Sequence, residues 1–208
     1  MVVYGDLLKE GYYSQNGQDK LIAETLFPNK MNGVFVDIGA SDGVTFSNTY
    51  FLEKIGWTGL VVEPIPLIYD QLVKNRTCIT IPGCVSATPG KETFRLAQML
   101  SGIVSEYDPK HLLRIKNECG ECEDISVESY NINDLLKTYS ISYIDYLSID
   151  VEGAEYTILN SLDFNRVHVS VIGVENNYND DNISKLLITK GFKYHSTIGD
   201  EFYINKCQ

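Results

Sequence analysis

Val34-Phe-Val-Asp-Ile-Gly-Ala-Ser-Asp-Gly-Val-Thr-Phe-Ser-Asn48 is the stretch on which the reading of this chain turns. Its first residues are apolar and β-branched or aromatic, which predicts a strand over 33–38. The run then breaks into Asp37-x-Gly39-x-x-x-Gly43 and passes into a helical pattern predicted over 45–55. A strand, a glycine turn and a helix start in that order predict a ligand cradle. Glycine lets the backbone come close to a flat or extended small molecule where a Cβ would stand in the way. Further on, a second apolar run, Gly59-Leu-Val-Val-Glu63, ends in a carboxylate. An acid at the tip of the second strand of a βαβ unit is placed to accept hydrogen bonds from both ribose hydroxyls of a nucleoside.

The charge of the turn selects among nucleoside cofactors. A dinucleotide pyrophosphate needs uncharged backbone donors, and Asp37 and Asp42 would repel it. S-adenosylmethionine has no phosphate and presents a sulfonium, an ammonium and a ribose, which suit Asp37, Asp42 and Glu63. The turn therefore favours a methyl donor over NAD. The competing use of the same residues is structural, with Asp37 and Asp42 capping the next helix and Gly39 making a turn.

Beyond this unit, strands are predicted at 59–63, 78–85, 91–96, 125–130, 143–149 and 167–174. Helices are predicted at 17–27, 66–75, 131–139, 152–161 and 180–190. This alternation argues for an α/β fold with a mostly parallel sheet covered on both faces. Two short β runs around Gly199-Asp200 suit a closing antiparallel hairpin. Residues 97–124 break the rhythm and are a candidate lid or acceptor-binding insertion. With no low-complexity stretch, residues 1–208 read as a single domain.

A second strand with chemistry at its tip is Tyr146-Leu-Ser-Ile-Asp150-Val-Glu152-Gly153-Ala-Glu155. Ligands of open α/β sheets bind beyond the carboxyl ends of the strands, so Asp150 and Glu152 should share a crevice with Gly39 and Glu63. The strand over 167–174 ends likewise in Glu175-Asn176-Asn177. These converging acids are candidates for a general base, for a Mg²⁺ or Ca²⁺ site on Asp150 and Glu175, or for plain hydrogen bonding to the cofactor or to sugar hydroxyls. Glu155, one turn into its helix, reads more as a cap than as a reactant. His111 in the insertion and His195 in the hairpin are rival bases, while His168 begins a strand.

Lys and Arg number 17 against 28 Asp and Glu, a net charge of -11, and no basic cluster is visible. Nucleic acid is therefore not an expected partner. Cys119-Gly-Glu-Cys122 lacks a second ligand pair for zinc, so reduced, non-ligating thiols are expected, with a metal or redox use left open. No stretch predicts a membrane span or a secretory leader, and a cytoplasmic location is expected. A small-molecule or glycan acceptor is the expected partner, and a homodimer the candidate assembly.

Four segments in order, Ser14-Gln-Asn-Gly-Gln-Asp19, Phe35 to Gly43, Gly56-Trp-Thr-Gly-Leu-Val-Val-Glu-Pro64 and Ile149-Asp-Val-Glu-Gly-Ala-Glu155, resemble the FkbM-type S-adenosylmethionine-dependent O-methyltransferases. The resemblance covers about residues 13–206. It implies a class I methyltransferase (Rossmann-like) fold with a seven-stranded sheet. It places the cofactor over Asp37, Gly39, Ala40, Asp42, Gly43 and Asn48, the ribose on Glu63 beside Pro64, and the adenine near Val85 and Ser86. It also implies that the N-terminal 1–30 segment, with Gln15, folds over that pocket, and that Asp150 and Glu152 stand beside the methyl group. Where relatives carry lysine two positions before Asp150, this chain has Ser148, so no lysine-assisted mechanism carries over.

The resulting expectation is methyl transfer to a hydroxyl of a small polyhydroxylated acceptor. A sugar such as rhamnose fits it, whether free, nucleotide-linked or within a glycan, with Asp150, Glu152, Glu175 and His195 as candidate catalytic groups. A ribose methyltransferase acting on RNA and a natural-product (polyketide) O-methyltransferase are the enzymatic alternatives. A non-catalytic S-adenosylmethionine-binding module and a nicotinamide oxidoreductase come from other classes.

Overall fold

In the computed structural model, which describes residues 11–206, the first helical stretch is α1 (Gln18–Lys20), continued as a wider π-type turn over Leu21–Leu26. Strand β1 (Val34–Ile38) follows, with Phe35, Val36, Asp37 and Ile38 all buried. It lies at the centre of the main sheet. Next come α2 (Tyr50–Lys54), β2 (Thr58–Glu63), α3 (Pro66–Asn75) and β3 (Ile79–Pro82). The chain then leaves the sheet through β4 (Cys84–Ser86), β5 (Gly90–Leu96), β6 (Gly102–Ile103), α4 (Pro109–Glu118) and β7 (Glu123–Asn131). It returns through α5 (Ile132–Thr138), β8 (Tyr143–Ile149), α6 (Glu155–Ser161), β9 (His168–Val174), α7 (Asp181–Thr189) and the hairpin β10 (Phe192–Ile198) and β11 (Asp200–Asn205).

The main sheet has seven strands in the order β10-β11-β9-β8-β1-β2-β3, and a separate four-stranded sheet runs β4-β7-β5-β6. In the main sheet β3, β2, β1, β8 and β9 are mutually parallel, while β11 is antiparallel to both β9 and β10. The chain order reverses direction at β1, which is flanked by β2 and β8. That is where the carboxyl ends of neighbouring strands part and leave a crevice.

Both faces of the sheet are covered. Val36, Ile38, Leu60, Val62, Leu147 and Ile149 pack on one side with the helices α5 to α7 and with Val85, Phe94 and Ile103 of the small sheet. Phe35, Val61, Tyr146 and Val171 pack on the other with Ile22, Phe51, Leu52 and Trp57. Side chains alternate along a strand with period two, so neighbours in β1 serve opposite faces. Among the described residues no helix is long and apolar enough to cross a membrane.

Two local expectations are corrected. The predicted strand 78–85 is two strands in two sheets, joined at Gly83. This residue has φ 141°, and a Cβ there would lie 2.5 Å from the Glu128 carbonyl oxygen. The helix predicted at 45–55 begins only at Tyr50. Asp42 Oδ1 accepts from the Val44 and Thr45 amides at 2.9 and 2.7 Å, Phe46 takes φ 57° and bridges to Ser14, and Ser47 Oγ accepts from the Tyr50 amide. Side-chain acceptors satisfy the amides that a longer helix would have used.

In the insertion, Cys119 Sγ donates to the Ala97 carbonyl at 3.3 Å, and both Cys119 and Cys122 pack on a small core of Ala97, Leu100, Tyr107 and Ile115. All four described cysteines are free.

Candidate active site

Two cavities open beyond the carboxyl ends of β1, β2, β8 and β9. The first, about 110 Å³, is walled by Val62, Ile65, Ile68, Val85, Phe94 and Met99, with Glu63 and Asp150 among its polar groups. The second, about 390 Å³, is walled by Glu106, Tyr107, His111, Glu175, Asn177 and Tyr178. Glu152 borders both. A group held in one cavity therefore meets a group held in the other beside this carboxylate.

Glu63 closes the end of β2 at 5% exposure. Its carboxylate oxygens accept from the Ser41 amide at 3.1 Å and the Ile65 amide at 2.8 Å. Burial nevertheless outweighs these bonds and pushes its pKa up to about 7. Each oxygen keeps acceptor capacity beyond its one backbone bond, which is what two vicinal hydroxyls require.

Gly39 does line the first cavity, but the reason for glycine lies behind it. With φ 93°, a Cβ at 39 would fall 1.8 Å from the Asp150 carbonyl oxygen. Gly43 is likewise compelled by protein, since a Cβ there would meet Leu72 and Arg76. The buried Arg76 guanidinium underpins this loop: it pairs with Glu53 and donates to the Gly43 carbonyl and to Thr49 Oγ1.

The acids of the β8 and β9 tips come together as expected. One carboxylate oxygen from each of Asp150, Glu152 and Glu175 lies within 4.8 Å of the others, so these three could hold a divalent cation or share protons. Burial and mutual repulsion raise all three pKa values. Asp150 is pushed well above the carboxylate range by burial and the charges of Asp200 and Glu152. Glu152 rises to about 7, and Glu175 to about 10. Asn177 Nδ2 donates to Glu152 Oε2 at 3.3 Å.

Glu155 folds the loop that carries two of these acids. Its Oε1 accepts from the Val151 and Gly153 amides, both at 3.1 Å, and its Oε2 accepts from Gly153 at 3.0 Å. That holds Glu152 at φ 60°, a left-handed conformation costing a non-glycine residue about 1–2 kcal/mol, and turns its side chain toward both cavities.

Of the sequence-predicted cofactor residues, Gly39, Glu63, Pro64, Val85 and Asp150 line the first cavity. Gln15, Asp37, Ala40, Asp42, Gly43, Asn48 and Ser86 line neither. Asp37 sits in β1 with the parity of Phe35, on the face opposite the cavity, and accepts from Thr49 Oγ1 at 2.6 Å. Asp42 is occupied with Thr45 and its own turn. Ser86 bonds Ser129 and the Thr88 carbonyl. Asn48 donates to Ser148 Oγ at 3.1 Å and to Asp200 Oδ2 at 3.2 Å, and Gln18 reaches the same Asp200 oxygen at 3.5 Å. The described part of the predicted covering segment thus packs toward the C-terminal hairpin, with Gln15 exposed; residues 1–10 lie outside the described residues.

His195 is not brought to the acids. It stands exposed on β10, at the irregularity between Tyr194 and Ser196, and borders neither cavity. The insertion 97–124 does reach the site: Gln98, Met99 and Ser101 wall the first cavity, and Tyr107 and His111 the second. Tyr178, which sequence reasoning passed over, follows directly on the noted Glu175-Asn-Asn run.

A parallel sheet of this order, a carboxylate at the tip of β2 and paired acids beyond β8 define a class I S-adenosylmethionine-dependent methyltransferase fold. A family model, Methyltransferase FkbM domain, matches residues 37–195, and the chain belongs to that family. No curated protein sequence matches it. A solved FkbM methyltransferase from Methylobacillus flagellatus KT superposes with a TM-score of 0.53 at 11% identity, over 90% of this chain and 47% of that one. The chain thus spans about half the length of that relative. Fibrillarin from Aeropyrum pernix, with natively bound S-adenosyl-L-methionine, gives 0.49 at 11% identity over 92% of this chain and 73% of that chain. An O-methyltransferase from Bacillus cereus in complex with SAH gives 0.43 at 10% identity over 97% and 88%.

Proposed function

We propose that this chain transfers the methyl group of S-adenosylmethionine to a hydroxyl of a small, uncharged polyhydroxylated acceptor, a sugar such as rhamnose being the type. The observation that carries the reading is the placement of Glu152 as the common wall of an apolar cleft ending in Glu63 and a polar cavity rich in carboxylates, amide and phenol groups. The apolar cleft suits adenine between Ile65, Ile68 and Val85, with the ribose diol on Glu63. The sulfonium then lies toward Asp150 and Glu152, where its positive charge relieves the repulsion among the acids. The second cavity offers hydrogen-bond acceptors and donors to hydroxyls, and its carboxylates disfavour phosphate or carboxylate on the part of the acceptor that enters.

The donor already carries an activated methyl group, so the protein's work is alignment of the acceptor oxygen with the methyl–sulfur bond and removal of one proton. Asp150, on the first cavity, and Glu175, on the second, are the acids that would orient the acceptor. A divalent cation on the same oxygens would lower the acceptor hydroxyl's pKa instead. The RNA alternative is disfavoured by the net charge of -11 and by the acids lining the cavity.

Calorimetric titration with S-adenosylmethionine, S-adenosylhomocysteine and NAD, followed by a S-adenosylhomocysteine-release assay over a panel of sugars with Mg²⁺ or with chelator, tests the reading. Binding of the first two ligands with turnover on a neutral sugar is expected. Binding without turnover on any hydroxyl compound would indicate a cofactor-binding module, and binding of NAD alone would overturn the methyl-donor assignment.

A further inference from the structure

His111 is the basic side chain bordering the second cavity, and its ring is held by a specific set of partners. It is 1% exposed, lies in the first turn of α4 and stacks on Tyr107 with ring centroids 4.7 Å apart at 18°. Nε2 is 3.0 Å from the Leu100 carbonyl oxygen, Nδ1 is 3.0 Å from the Tyr178 hydroxyl, and Nδ1 is 3.5 Å from Glu152 Oε2.

The Leu100 contact fixes one ring proton. A carbonyl oxygen only accepts, so Nε2 must carry hydrogen to satisfy Leu100, and the neutral ring keeps its lone pair on Nδ1. The Tyr178 oxygen lies against the Arg114 guanidinium, which only donates, so the phenolic hydrogen is free to point at Nδ1. Tyr107 donates to the same Leu100 carbonyl at 3.1 Å, completing its two acceptor sites. The basic lone pair therefore accepts from the Tyr178 hydroxyl, which itself lines the cavity, while the far side of the ring is anchored to backbone. That is the arrangement of a general base with its orienting group.

Resting on the reading of the site as a hydroxyl methyltransferase, we infer that His111 is the general base: the Tyr178 oxygen takes the acceptor's hydroxyl proton as its own phenolic proton passes to Nδ1. As the acceptor oxygen bonds to the methyl carbon, the methyl–sulfur bond breaks with its electron pair passing to sulfur. The released proton then resides on imidazolium. Positive charge moves from sulfonium to His111, where Glu152 Oε2 at 3.5 Å receives it as an ion pair. Asp150 and Glu175 on this account position and stabilise rather than abstract. Arg114 from α4, Glu152 from the β8 loop, and Tyr178 from the β9 loop are the charged and titratable groups bearing on the ring, with Tyr107 stacked beneath it.

The test has an arm that needs no acceptor. The chain has three histidines, so ¹⁵N-histidine labelling of the cofactor-bound protein, with His111→Gln to assign the signal, reads each ring separately. His111 is expected as the Nε2–H tautomer with an unprotonated Nδ1; an Nδ1–H tautomer overturns the proposal. In the second arm, turnover is measured on the most active sugar of the acceptor panel. His111→Gln should lower kcat by about 10²–10⁴ with unchanged S-adenosylmethionine affinity, and added imidazole should restore part of it. Tyr178→Phe keeps the ring but removes the relaying hydroxyl and should fall toward the His111→Gln level, whereas kcat within a few-fold of wild type would overturn the relay. Wild-type kcat in His111→Gln would overturn the proposal while leaving the methyltransferase reading intact. Failure of the wild type to bind S-adenosylmethionine would instead remove the reading on which the proposal rests.

Discussion

Glu63→Gln separates what the carboxylate does for the cofactor from what it does to the fold. Glu63 is buried, and its pKa stands at about 7 against an ordinary 4.5. The folded protein thus holds this proton more tightly than the unfolded chain. The contribution of Glu63 to stability is greatest below pH 4.5 and is lost as the pH rises through about 7. At about 1.4 kcal/mol per pH unit, that interval amounts to about 3 kcal/mol lost by pH 8. Glutamine has the same size and, like the protonated acid, offers one good carbonyl acceptor to the Ser41 or Ile65 amide. Urea unfolding should therefore show wild type and variant nearly equal at pH 4, with the variant about 3 kcal/mol more stable at pH 8. Calorimetry should show the reverse for function, with S-adenosylmethionine binding weakened about tenfold to hundredfold, because charge-assisted bonds to the ribose diol are lost. A variant no more stable than wild type at pH 8 would refute the burial argument, and equal cofactor affinity would refute the ribose assignment.

Gly39→Ala should destabilise the protein by at least about 3 kcal/mol in denaturant unfolding, from left-handed strain plus the clash with the Asp150 carbonyl; a neutral result would mean that this contact yields easily. Arg76→Met leaves Glu53 without its cation and should cost about 3–5 kcal/mol by the same measurement, and a loss below about 1 kcal/mol would contradict the role given to the guanidinium. Asp150→Asn removes a carboxylate beside the sulfonium and should weaken calorimetric affinity for S-adenosylmethionine by up to about tenfold and lower kcat by about 10²-fold through lost positioning, whereas unchanged affinity and turnover would remove Asp150 from the site.

How much of this was readable beforehand differs from element to element. The parallel strands announced themselves as short apolar runs, and β8 matched its predicted limits because both of its faces are buried. The same double burial hid parity: with Phe35 and Val36 equally apolar, nothing local said which face would carry the cavity, and Asp37 fell on the other. The break between β3 and β4 depends on the Glu128 carbonyl, far along the chain, which no local pattern encodes. At the site, the acids were legible because strand tips in an α/β sheet converge by topology, so Asp150, Glu152 and Glu175 met as expected. His111 carried no comparable signal. A lone histidine on a helix within an irregular insertion becomes meaningful only when Leu100, Tyr178 and Glu152 are seen around it. His195 had the same sequence credentials and lies on an exposed edge strand.

The insertion between β5 and β7 walls the first cavity with Gln98, Met99 and Ser101 and the neighbouring one with Tyr107 and His111, whereas Glu63, Asp150 and Glu175 stand at the ends of the main sheet. The sheet thus supplies the acids, and the insertion supplies one wall of each cavity. Exchanging that one segment for the corresponding stretch of another family member would change a wall of both cavities while leaving the acids at the sheet's strand tips in place.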